Sequence, residues 1–204
     1  HFRETRWFEQ DIEKLNTQFI LPANVTVEFA ECGIENAWYD PRTLTITMCY
    51  ELADVILQSF YENYDEEVVV DKWLNAMDFI FYHELGHAFV HLYNLPITGR
   101  EEDVADQMSV FVLSESWEGG EEAALDGAQF FYFGSTADQT PFWDAHALND
   151  QRVYNVICWL FGRDPGRFAH LVPEVLPQER GIACPDEYKK LDQAMRTLLD
   201  PYLQ

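Results

Sequence analysis

The sequence predicts an α+β fold in which a small antiparallel sheet leads into a mainly helical body. Two patterns carry this expectation. Short segments of alternating polar and apolar residues fall between about 21 and 50, and beyond them apolar residues recur at helical spacing nearly to the C-terminus. Of the 204 residues, 48% are hydrophobic and 15% aromatic, too many for a disordered chain and enough for a core of its own. No linker, repeat or low-complexity tract interrupts the pattern. The chain therefore reads as one domain over 1–204, sheet-bearing at about 21–50 and helical at about 51–204.

Trp7, Ile12, Leu15 and Phe19 share one helical face, which predicts an amphipathic helix over 4–20, ended by Leu21-Pro22. Alternation predicts a strand over 24–30. A second strand, from Asn36 to Tyr39, runs into a turn at Asp40-Pro41. A third, over 43–50, alternates again and is rich in β-formers such as Thr43, Thr45, Ile46 and Thr47. Helices are then expected at 51–63, 67–93, 100–114, 121–133, 149–162 and 186–199. The longest carries Trp73, Met77, Phe81 and Leu85 near helical spacing. Residues 114–122 read as an acidic surface loop without the alternating ligands of an EF-hand.

Charge narrows the function classes. Thirteen Lys and Arg face thirty-six Asp and Glu, a net charge of −23. A field of that sign repels phosphate backbones and anionic lipid heads, so neither nucleic acid nor a membrane is an expected partner. No apolar run reaches the roughly 18 residues of a membrane helix, so no membrane insertion is expected. The chain opens on His1-Phe2-Arg3 with no basic-then-apolar leader, as if an upstream segment had been removed. Oligomeric state leaves no mark in the sequence.

The four cysteines contain no C-x-x-C pair, which disfavours a zinc knuckle or a thioredoxin-type site. Local chain folding favours the pairings Cys32–Cys49 and Cys158–Cys184. Disulfides would place the protein outside the cytoplasm, secreted or periplasmic. The plain alternative is four buried free thiols in a cytosolic protein.

Chemistry concentrates in His83-Glu84-Leu85-Gly86-His87. Helical spacing of i and i+4 lets His83 and His87 present two imidazoles to one Zn2+ ion. Zinc lowers the pKa of a water toward ~7, and Glu84 is placed to take its proton as general base. The same residues could be a solvated helix face. Their neighbours Phe79, Ile80, Phe81, Tyr82, Ala88, Phe89 and Val90 argue for burial, and buried polar groups need a partner. A third ligand from an H-E-x-x-H-x-x-G-x-x-H extension is absent, because Val90 and Tyr93 occupy its Gly and His positions. Arg100-Glu101-Glu102-Asp103-Val104-Ala105-Asp106 follows one short loop later. There Glu102 is the expected ligand, with Asp106 one turn on to orient a ligand imidazole. Glu101 competes with Glu102, one residue of register away. The cluster could also be an acidic helix start favoured by the helix dipole.

These residues resemble the gluzincin zinc metallopeptidases, which combine H-E-x-x-H with a downstream Glu ligand. The Glu102-to-Asp106 spelling is similar to the corresponding helix of membrane proteases of the CAAX and stress types. By that resemblance His146 would hold the substrate carbonyl or the developing oxyanion, and Arg152, six residues on, would support the site. A positioned donor facing the reacting oxygen is what such chemistry requires. His146 could equally be an ordinary loop histidine before a helix. Asn36-Ala37-Trp38-Tyr39 resembles the edge strand on which thermolysin-type peptidases lay an extended substrate. It could also be a plain half-buried strand. Most of the chain resembles a group of poorly characterised bacterial proteins classed as metallopeptidases. It lacks the membrane helices of the proteases named above and has a short spacing from His87 to Glu102, so their substrates are not carried over.

The expected function is a zinc-dependent peptidase acting on peptides or proteins. The rivals are a non-catalytic binding protein with a structural or vestigial zinc site, and a zinc hydrolase of a non-peptide amide. His91, though in the same helical row, is badly placed for a third ligand and reads as surface. His170 is isolated and His1 terminal. Phe130-Phe131-Tyr132-Phe133 reads as core.

Overall fold

The strand with the most apolar inward surface takes the centre of the sheet. The computed structural model describes residues 6–135 and 145–204, which leaves His1 and the predicted start of the first helix outside. Three strands, β1 (Thr26–Ala30), β2 (Ala37–Asp40) and β3 (Thr45–Cys49), form a sheet of order β1-β3-β2. In β3, Ile46, Met48 and Cys49 are fully buried, so this strand needs a neighbour on each side. β2 runs antiparallel to it, from Ala37 opposite Met48 to Asp40 opposite Thr45. β1 runs parallel to it, from Thr26 opposite Thr45 to Ala30 opposite Cys49. The sheet is thus mixed, which corrects the antiparallel expectation. The chain leaves β1, lays β2 on the far edge and returns as β3 between them.

That route brings the ends of β1 and β3 together, and the disulfide Cys32–Cys49 closes there with Cα atoms 5.6 Å apart. The turn after β1 has Gly33 at φ +72°, a left-handed conformation natural to glycine. The Glu51 carboxylate accepts the backbone N–H groups of Cys32 (3.1 Å) and Gly33 (2.6 Å) and fixes it.

Among the described residues there are eight α-helices: α1 (Trp7–Gln18), α2 (Tyr50–Tyr61), α3 (Glu66–Leu92), α4 (Glu101–Ser116), α5 (Gly120–Ser135), α6 (Asn149–Arg163), α7 (Gln178–Gly181) and α8 (Cys184–Leu199). The fold is α+β, with a helical body larger than the sheet. The 27-residue α3 is its spine, buried on most sides from Val69 to Val90. It packs against α2, α4, α5 and the sheet. Glycines permit the closest approaches. A Cβ on Gly86 would lie 3.0 Å from Ala105 Cα, and one on Gly127 2.4 Å from the Phe79 ring. α4 and α5 can therefore lie tight against α3. Lys72 and Asn75 of α3 both bind the Asp126 carboxylate of α5, at 2.7 and 2.8 Å. A second disulfide, Cys158–Cys184, joins α6 to α8 with Cα atoms 5.1 Å apart.

The acidic stretch 114–122 is not a free loop. α4 runs to Ser116 and α5 starts at Gly120. Glu115 pairs with Arg163 and Arg196, Glu121 with Arg163 and Arg167, and Glu122 with Arg167. The short α7 and two 3-10 turns, Ala169–Leu171 and Asp200–Tyr202, lay below the resolution of sequence patterning. Among the described residues, no helix is long and apolar enough to cross a membrane.

Candidate metal centre

The i, i+4 spacing on α3 brings the His83 and His87 rings to 5.0 Å between centroids. His83 and Glu84 are buried and His87 half-buried. The close contact at Gly86 sets the first turn of α4 against this face. Glu102, on that turn, puts its Oε2 3.1 Å from His83 Nε2 and 3.3 Å from His87 Nε2. His146, just ahead of α6, adds its own Nε2 at 2.9 Å from the same oxygen. Three imidazoles thus meet on one carboxylate oxygen.

The far sides of the α3 histidines are held. His83 Nδ1–H donates to Asp106 Oδ1 at 2.8 Å. Arg152, on α6, forks onto Asp106, with Nε 2.9 Å from Oδ2 and Nη2 2.7 Å from Oδ1, and its guanidinium stacks 3.8 Å from the Phe131 ring. Glu101 accepts from His87 Nδ1 at 2.8 Å. The two adjacent glutamates divide the work: Glu101 holds the back of His87, while Glu102 faces the convergence point. Only the three-dimensional register separates them. In sequence, the paired glutamates at a helix start were the available signal.

Burial pushes the Asp106 carboxyl upward, but Arg152 and His83 outweigh it and hold it well below the usual range. Burial acts the same way on Glu102, and hydrogen bonds from His146, His83 and His87 more than reverse it. Burial alone would lower His87, yet bonds to Glu102 and Glu101 raise it to about 9. Glu84 is raised by burial, a change the neighbouring histidines only partly offset, and it accepts the backbone N–H of Tyr39 on β2. A carboxylate raised in this way is a stronger base.

The cluster floors a cleft of about 990 Å³. Asn36 and the first three residues of β2, Ala37, Trp38 and Tyr39, form one wall. Trp38 is 36% exposed, and Tyr39 O–H meets His91 Nδ1 at 2.9 Å. Leu52, Val55, Ile80, Phe130 and Phe131 give the cleft an apolar side. The Phe130–Phe133 run is therefore divided. Phe131 is buried, Tyr132 is exposed, and both Phe130 and Phe131 reach the cleft. No periodicity in the sequence marks that. His170 lies elsewhere, its Nδ1 donating to Arg167 O at 3.1 Å. The four cysteines are likewise absent from the cleft lining.

The donor set suits a borderline divalent ion such as zinc, which takes imidazole and carboxylate ligands. Ligand atoms of His83, Glu102 and His146 all lie within 4.8 Å of one another, and His87 Nε2 is 3.3 Å from Glu102 Oε2. Imidazoles of α3 and of the segment before α6 thus meet a carboxylate of α4, beside the buried Glu84 and in an open cleft, and metal-dependent hydrolases use donor sets of this kind. A family model described as "Putative metallopeptidase" matches residues 1–199, and the chain belongs to that family. Neither a curated protein nor a solved structure matches it significantly.

Proposed function

We propose that the chain is a zinc peptidase of the gluzincin type, with His83, His87 and Glu102 holding the ion and Glu84 as general base. The supporting observation is the meeting of imidazole nitrogens on Glu102 Oε2, with Glu84 beside them in the same cleft. When bound, the ion supplies a polarised carbonyl and a water acidic near neutral pH.

The chain's own residues supply the rest. Glu84 receives the proton of the attacking water and passes it to the departing amine. Its burial keeps that proton available, and the Tyr39 N–H holds the carboxylate toward the cleft. His146 donates to the carbonyl oxygen as charge develops there. Asp106 fixes the tautomer and orientation of His83, and Arg152 fixes Asp106. An extended peptide lies along the edge of β2 at Asn36, Ala37 and Trp38, where an edge strand offers backbone pairing. The two disulfides support an extracytoplasmic setting for this activity.

The test is Glu84→Gln. Peptide hydrolysis is expected to fall about 10²–10⁴-fold while the zinc content stays unchanged, the range for loss of a general base. Hydrolysis undiminished in that variant would refute the assignment. A wild-type chain that binds zinc tightly yet cleaves nothing in a diverse peptide library would point to a binding protein on this scaffold.

A further inference from the structure

We propose that His146 is a fourth, displaceable ligand, so that the centre rests closed and opens only when His146 withdraws. This rests on the zinc reading above and concerns how that site is controlled. Among the described residues, ligand atoms of His146, His83 and Glu102 lie within 4.8 Å of one another, so His146 is placed to join the ion's shell. Its Nε2 is 2.9 Å from Glu102 Oε2, beside the 3.1 and 3.3 Å of the two α3 histidines. Bonds of about 2.0–2.2 Å to a tetrahedral zinc set neighbouring ligand atoms about 3.3 Å apart, so all three contacts are close to an edge of such a shell. The His146 ring lies 21° from parallel to that of His83, with centroids 6.4 Å apart.

Four protein ligands make a closed shell, the arrangement of structural zinc sites, whereas a catalytic site keeps one position open. A closed structural site has no use for Glu84, a buried carboxyl at its side. Both observations are met if one ligand can leave. Placement identifies which. His83 and His87 sit within α3, and Glu102 belongs to α4. His146 precedes α6 in irregular chain, and its side chain is 49% exposed. Once withdrawn, it lies beside the opened position, where an imidazole N–H can donate to the carbonyl oxygen. The residue that closes the site at rest is then the one that assists the reaction.

X-ray absorption at the zinc edge tests this on the full chain loaded with one equivalent of zinc. The wild type should show three imidazoles and one carboxylate. His146→Ala and His146→Asn should each show one imidazole fewer and one light oxygen donor more. Acetohydroxamate, which needs an open position, should bind both variants at least tenfold more tightly than the wild type. Two imidazoles in the wild type, or equal hydroxamate affinity throughout, would overturn the proposal while leaving the zinc reading intact. A wild type that takes up no zinc would overturn both, so the two failures are distinguishable.

Discussion

Asp11 and Asp78 meet carboxyl to carboxyl beneath α1, away from the metal centre. Asp11 is 6% exposed, and Trp7 Nε1–H donates to Asp78 Oδ2 at 3.1 Å. Burial raises both carboxyls, and for Asp78 the proximity of Asp11 adds to it. A folded-state pKa above the unfolded one means the folded chain holds the extra proton. Stability from this pair is complete below about 3.8, the ordinary Asp value, and is lost as pH rises through the raised values. Asp78→Asn removes the repulsion and keeps an acceptor for Trp7. It should therefore raise the melting temperature over wild type, and more at pH 8 than at pH 5. An equal shift at both pH values would show that the pair is not titrating. Nothing in the sequence announced this pair, because its members are 67 positions apart and each looks like a surface acid. His83, Glu84 and His87 stood out in the sequence because four-residue spacing puts both imidazoles on one helix face. The choice between Glu101 and Glu102 was not, since both sit on one helical turn and only the packing of α4 decides which faces the cluster.

Gly86 shows how an element positions the centre. Glycine within a helix costs about 1 kcal/mol relative to alanine, so its presence in α3 calls for a compensating contact. That contact is Ala105, whose Cα would lie 3.0 Å from an added Cβ. Backbone cannot yield there without α4 moving, and α4 carries Glu101, Glu102 and Asp106. Gly86→Ala should lower unfolding free energy by about 1–3 kcal/mol, the usual range for overpacking, and should weaken zinc binding as well. Urea titration and competition with a chelating dye would measure the two effects. A stabilised variant with unchanged zinc affinity would show that the helices have room to spare. Every long helix was legible from periodicity, and so were the three strands. Strand direction was not. Alternation gives β3 an inward face but does not say that the chain lays β2 on the far edge first and returns as β3 beside β1. The 114–122 stretch misled for a related reason: its acids are matched by Arg163, Arg167 and Arg196 from α6, the following turn and α8, partners invisible to local reading.

Across the whole molecule, α3 joins the sheet to the helical body, and the cleft opens where β2, α3 and α4 meet. The chain's −23 charge sets a negative field around the molecule, and so around the cleft. Peptides rich in Asp and Glu should accordingly be cut more slowly than neutral ones, by a factor that shrinks as salt rises. A factor independent of ionic strength would assign the discrimination to contacts inside the cleft. The net charge made nucleic acid and anionic membranes unexpected partners, and the histidine motif pointed to hydrolysis. The cleft itself needed the fold, because its walls come from segments about fifty residues apart. The central claim is that these segments assemble a zinc site. Metal content measured by elemental mass spectrometry, on chain purified without added metal or chelator, tests it most directly. About one zinc per chain is expected in the wild type and little in a His83→Ala, His87→Ala double variant. A wild-type chain free of zinc, and unable to take it up from one added equivalent, would contradict the account.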